Sequence, residues 1–215
     1  MQSLEAELED ARALSISELA DAIESIGFEC TRCGACCKAD DADPHTATIF
    51  PDEVRDIQQT HEYDWRDVAR PMPYGLDEAG AGETFEWAIQ TTGCGDCSFY
   101  VEEDGVGACS IHDDRPLICQ TYPFSVALGG TSQPMGEAVD QQGMVRAHEC
   151  EGLGRDISRA EAEELAAALK ERAIRELEEA VGVRDNYAVT NPADEDVVVH
   201  DSEGAKRADG TPIEE

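Results

Sequence analysis

Apolar positions recur at helical spacing at both ends of the chain and at strand spacing between them. Leu4, Leu8 and Ala11, then Ile16, Leu19, Ile23 and Ile26, fall three or four residues apart, which predicts helix over residues 1–28. Ser15 with Glu18 three residues later matches a capping box, so the helix restarts there, and Gly27 supplies a stop. At the far end, Ala162, Leu165, Ala166, Leu169, Ala173, Leu177 and Ala180 form an apolar stripe over about 159–181. Ser158 and Glu161 open that helix and Gly182 is expected to end it.

The middle of the chain reads as short elements. Residues 46–50 suggest a strand, and Pro51-Asp52-Glu53 opens a helix to about residue 59, with a second through Val68. Pro71, Pro73, Gly75, Gly80 and Gly82 make residues 70–83 a surface loop. Phe85, Trp87 and Ile89 alternate with polar or small residues, which predicts a strand over 84–91. Residues 99–102 and 106–111 flank Asp104-Gly105 as a β-hairpin, and 117–128 reads as a core strand. After Asn186 only residues 197–199 suggest a strand. The expected fold is α+β: an irregular core with short antiparallel strands, flanked by N- and C-terminal helices. The expected organisation is a helical extension over 1–28, a central domain with its C-terminal helix over 29–182, and an acidic tail over 183–215.

Charge narrows the partners. Against 48 Asp and Glu stand 16 Lys and Arg, a net charge of −32. A surface this acidic repels phosphate, which argues against nucleic acid and anionic membranes as partners. Only Lys38, Lys170 and Lys206 are lysines. Acid-rich, lysine-poor composition of this kind resembles the proteins of halophilic, salt-accumulating cytoplasms, where counter-ions screen self-repulsion. No apolar run approaches the ~18 residues of a membrane span. Residues 1–10 hold four acids and no base, unlike a secretory signal, so a cytoplasmic location is expected.

Nine cysteines carry the chemistry, at positions 30, 33, 36, 37, 94, 97, 109, 119 and 150. With an odd count and no export signal, a metal or redox site is expected ahead of a disulfide-stapled binding protein. In Cys30-Thr-Arg-Cys33-Gly-Ala-Cys36-Cys37 the two-residue gaps let successive thiolates turn back onto one ion or cluster, and Gly34 permits the sharp loop. Adjacent side chains diverge on an extended backbone, so Cys36 and Cys37 are awkward ligands for one tetrahedral ion, and one of them is expected to serve a second metal or a neighbouring cluster. Cys94-Gly-Asp-Cys97 is a further close pair, which as a bare Cys-x-x-Cys also suits a dithiol redox site, and the hairpin folds Cys109 back toward Cys97. Residues 30–38 and 115–136 contain no acid, while Arg32, Lys38 and Arg115 lie in them. A four-thiolate zinc or cubane site carries a charge of about −2, which such cations offset. Arg115 is accordingly expected beside the site, donating to a cysteine sulfur or a nearby carbonyl. His112 and His148 are weaker ligand candidates.

Cys30-x-x-Cys33-Gly-x-Cys36-Cys37, Cys97-Ser-Phe-Tyr, Cys109-Ser-Ile, Arg115-Pro116-x-x-Cys119-x-x-Tyr122-Pro123-Phe124 and Cys150-x-Gly152-x-Gly154 together resemble the YkgJ-type CxxCxxCC family of zinc- or iron-chelating domains. The resemblance implies eight metal ligands: Cys30, Cys33, Cys36, Cys37, Cys97, Cys109, Cys119 and Cys150. Cys94 departs from the pattern as a surplus thiol. The resemblance also implies an iron–sulfur cluster as cofactor, with a redox role or a link to protein methylation, and a redox or other protein partner. The alternative is a zinc-stabilised, non-catalytic interaction module.

Overall fold

The N-terminal periodicity folds as two helices in the computed structural model, which describes residues 2–39, 45–128, 135–190 and 196–213. Helix α1 (Leu4–Ala13) and helix α2 (Ile16–Ile26) part at Ser15, whose hydroxyl accepts the Glu18 N–H at 3.3 Å. Gly27, at φ 78°, donates its N–H to Ile23 O and closes α2. Strand β1 (Thr48–Ile49) leads into α3 (Pro51–His61), where Pro51 occupies a position whose N–H would have no helical partner. Then follow α4 (Trp65–Val68), β2 (Ala69–Pro71), β3 (Gly82–Thr84) and β4 (Trp87–Ile89). The hairpin of β5 (Tyr100–Glu103) and β6 (Val106–Cys109) turns at Asp104 and Gly105, both at positive φ, as a two-residue turn between twisted strands requires.

Residues 117–128, expected as one strand, divide into α5 (Leu117–Thr121) and β7 (Phe124–Val126). A short apolar run does not separate helix from strand by period, and Pro123 ends the helix by withholding an N–H. Strands β8 (Ala138–Gln142) and β9 (Val145–His148) precede α6 (Arg159–Asn186). The α6 start is the expected capping box, with Glu161 N–H on Ser158 Oγ and Ser158 N–H on Glu161 Oε2. Its end is later than expected. Gly182 lies inside the helix because Ser202 packs against it: a Cβ there would stand 2.5 Å from Ser202 Cβ. Beyond it, β10 (Val197–Asp201) and β11 (Gly204–Arg207) form an antiparallel pair where only three strand residues were legible.

The chain divides into two compact units. The first comprises Met1–Cys36, Glu103–Gly107 and Leu117–Glu178, the second Cys37–Glu102, Ala108–Pro116 and Glu179–Glu215. In the first, the antiparallel sheet β7-β9-β8 shares one core with α1, α2 and α6 through Leu8, Ile23, Phe124, Val145 and Leu169. A bulge interrupts β8 between Ala138 and Asp140. Buried Arg172 of α6 donates to Thr121 Oγ1 at 3.0 Å and to Phe124 O, and Glu176 balances its charge.

The second unit holds the sheets β1-β4-β2 and β11-β10-β3. All their pairs are antiparallel except β3 with β10, a parallel pair between strands remote in sequence. Trp65 and Trp87 meet edge to face at 5.0 Å, and Trp87 Nε1 donates to Asp201, which also pairs with buried Lys206 at 2.8 Å. The fold is α+β. Among the described residues, no helix is long and apolar enough to cross a membrane.

Candidate metal centre

In the first unit, the Cys-rich loop begins where α2 ends. Residues 27–29 run antiparallel to 152–154: Glu29 N–H donates to Gly152 O, Gly154 N–H donates to Gly27 O, and Phe28 bridges Leu153. The approach is too close for a side chain at Gly152, where a Cβ would stand 2.3 Å from Glu29 O. That seam brings Cys150, more than a hundred residues away in sequence, beside the start of the loop carrying Cys30, Cys33 and Cys36. Arg32 and Gly34, both at positive φ, turn the loop, and Arg32 O accepts the Gly107 N–H at 2.8 Å.

Electrostatics mark these four thiols as neighbours. Burial pushes the Cys150 thiol up, and Cys33, Cys36 and Cys30 add to the rise, while the Gly152 N–H on its sulfur at 3.4 Å opposes it. Tyr122 shares the environment. Its hydroxyl donates to Glu149 O, and burial with the nearby Cys150, Cys36 and Cys33 thiols pushes it up to about 12. No role for Tyr122 was expected, although it stands in the Tyr122-Pro123-Phe124 motif. Among the described residues, no three His, Cys, Asp or Glu side chains are already gathered to the spacing of a bound ion.

The second unit holds Cys37, Cys94, Cys97 and Cys109. Three ties fasten residues 37–39 to 96–102: Cys97 N–H on Cys37 O at 2.8 Å, Ala39 N–H on Asp96 Oδ1 at 2.9 Å, and the Lys38–Glu102 ion pair at 2.6 Å. Ser110 N–H donates to Phe99 O, which aligns the segment just after Cys109 with the one just after Cys97. Cys97 is buried. Cys94 is exposed on the preceding turn, where its sulfur lies 3.0 Å from Thr92 Oγ1 and 3.8 Å from Asp96 Oδ2.

The remaining candidates lie on other elements. Cys119 is half-buried on α5, in the first unit. Arg115 donates Nε–H to His112 O at 2.9 Å, a backbone carbonyl of its own turn. His112 is exposed beside Asp113, and His148 is buried with Nε2 2.8 Å from Ser125 Oγ. No disulfide joins cysteines among the described residues.

The sequence model of the CxxCxxCC family, a "putative zinc- or iron-chelating domain", matches residues 29–151, more than half the chain. The chain belongs to the CxxCxxCC family. Neither the curated proteins nor the solved structures hold a match to it. The matched segment of this CxxCxxCC protein contains all nine cysteines and both of the thiol groups described above. Soft thiolates suit zinc and iron alike, so the donors fit the metals for which the family is described.

Proposed function

We propose that Cys30, Cys33, Cys36 and Cys150 hold an iron–sulfur cluster and that the protein serves as an electron carrier for a protein redox partner. The seam between residues 27–29 and 152–154 carries this reading, because it adds one remote cysteine to three at two-residue spacing. Three-plus-one is a spacing of cubane ligands, whereas structural zinc sites usually take two close pairs. When bound, the cluster supplies a one-electron couple. The chain's own residues orient and shield it. The Gly152 N–H donates to the Cys150 sulfur, and such a bond favours the thiolate. Tyr122 fixes the carbonyl preceding Cys150. Cys37, Cys97, Cys109 and Cys119 are the other candidate ligands, and Arg115 braces the turn before Cys119. A reducing compartment such as the cytoplasm would keep these thiols available as ligands, which supports a cytoplasmic location.

Anaerobic purification followed by a visible spectrum with iron, zinc and acid-labile sulfide analysis tests the reading. A brown protein with broad visible absorption and stoichiometric sulfide is expected. A colourless protein with stoichiometric zinc would replace it by the zinc-stabilised interaction module.

A further inference from the structure

The adjacent pair Cys36-Cys37 poses a question that a single four-thiolate site does not answer. The division between the two units falls at their peptide bond. Both residues lie in the single tight turn Ala35–Cys37, which has three residues per turn. Successive side chains there point about 120° apart, so the two thiols leave the backbone in different directions. Cys36 closes the loop whose start, at residues 27–29, is paired with residues 152–154 just after Cys150. Cys37 is tied elsewhere: its carbonyl accepts the Cys97 N–H, and the next two residues bind Glu102 and Asp96. Cys97 is in turn two residues from Phe99, whose carbonyl accepts the N–H of the residue after Cys109.

From these contacts we infer that the cysteines divide between Cys36 and Cys37 into two separate metal sites. Cys30, Cys33, Cys36 and Cys150 form one, and Cys37, Cys97 and Cys109 form the thiolate donors of a second zinc or iron ion in the second unit. Cys94 belongs to neither, since it is exposed and already engaged by Thr92 and Asp96. The inference rests on the metal reading above and adds to it which thiols act together. It also gives the double cysteine a purpose: one short turn supplies a ligand to each site.

Site-resolved alkylation of the reduced, metal-loaded protein, read by mass spectrometry at each cysteine, tests the division without any assay of activity. In the wild type, the seven assigned cysteines are expected to be protected and Cys94 to react. Cys150→Ser should remove protection from Cys30, Cys33 and Cys36 and leave Cys37, Cys97 and Cys109 protected. Cys97→Ser should do the reverse. Cys33→Ser and Cys109→Ser repeat the two arms, and only variants that keep their helical ellipticity are compared. Loss of protection at Cys36 and Cys37 together in both arms would overturn the division while leaving metal binding intact. A metal-loaded wild type in which all nine thiols react at the free rate would overturn both.

Discussion

In the first unit the interior is aliphatic, with alanines and leucines of α6 set against isoleucines of α2 and the valines of a three-stranded sheet. In the second, aliphatic residues such as Ile57, Val68, Ile89 and Val199 are joined by an aromatic and ionic group: Trp65 meets Trp87 edge to face, Trp87 donates to Asp201, and Asp201 pairs with Lys206, which is only 4% exposed. The difference shows two ways to stabilise a chain that has only 6% aromatic residues. Helices bring many small side chains together along their length, whereas short strands offer few contacts each and gain specificity from directional bonds. Cavity formation is therefore the weak point of the α6 stripe in the first unit, and an unpaired charge is that of the Asp201–Lys206 pair in the second.

The largest effect is expected from Asp201→Ala. It leaves Lys206 buried beside Trp65, with half-exposed Glu203 as its remaining ion-pair partner among the described residues, and it removes the acceptor of Trp87. A loss of about 4 kcal/mol is expected. Both tryptophans lie in the second unit, so urea unfolding followed by their fluorescence reads this directly. A loss under 1 kcal/mol would show that the ion pair is dispensable.

Leu169→Ala in the fully buried stripe of α6 should cost about 3 kcal/mol through the cavity it leaves. Helical ellipticity is the appropriate signal, and an unchanged midpoint would contradict the packing described for the first unit. Gly152→Ala comes next, at about 2 kcal/mol, because its Cβ collides with Glu29 O. Metal content should fall with it while β7-β9-β8 persists, and full metal occupancy would mean that the seam does not position Cys150.

Acidification should separate the units less strongly. Hydrogen bonds from Arg55 and then Lys206 hold the Glu203 carboxyl down to about 2, so its contribution is complete above pH 4.5 and disappears as pH falls toward 2. Burial raises Glu179, so its contribution is present below pH 4.5 and is lost as pH rises through its raised value. The fluorescence midpoint of the second unit is thus expected to rise modestly as pH falls toward 4.5 and then to drop as pH falls further toward 2. Glu179→Gln should flatten the first slope and Glu203→Gln the second; identical profiles in the variants would remove these groups from the account. The smallest effect is expected from Cys94→Ser, which should leave metal stoichiometry unchanged where Cys97→Ser lowers it. Equal losses from the two would make Cys94 a ligand.

Local signals carried much of this fold. Ser15, Ser158 and Pro51 placed helix starts, and Asp104-Gly105 placed the hairpin turn, because caps and turns depend on a few adjacent residues. Gly182 misled for a physical reason: its lack of a side chain serves the approach of Ser202, which is invisible in local sequence. The parallel pairing of β3 with β10 was equally hidden, since it joins residues more than a hundred positions apart. At the site, cysteine spacing revealed the chemistry but not the grouping. Which thiol neighbours which depends on the seam at Gly152 and on the ties around Lys38, both of which join distant segments.

The bulge in β8 bears on how the molecule behaves in a crowd. This strand ends its sheet, and a regular outer strand offers a row of unsatisfied N–H and C=O groups on which a second chain can align. Here the row is broken at Val139, which is 58% exposed, and the next residue is Asp140. At a net charge of −32, two copies meeting along this edge also repel. Concentrated salt removes that repulsion and leaves the broken spacing of β8 as the barrier to fibre-like self-association.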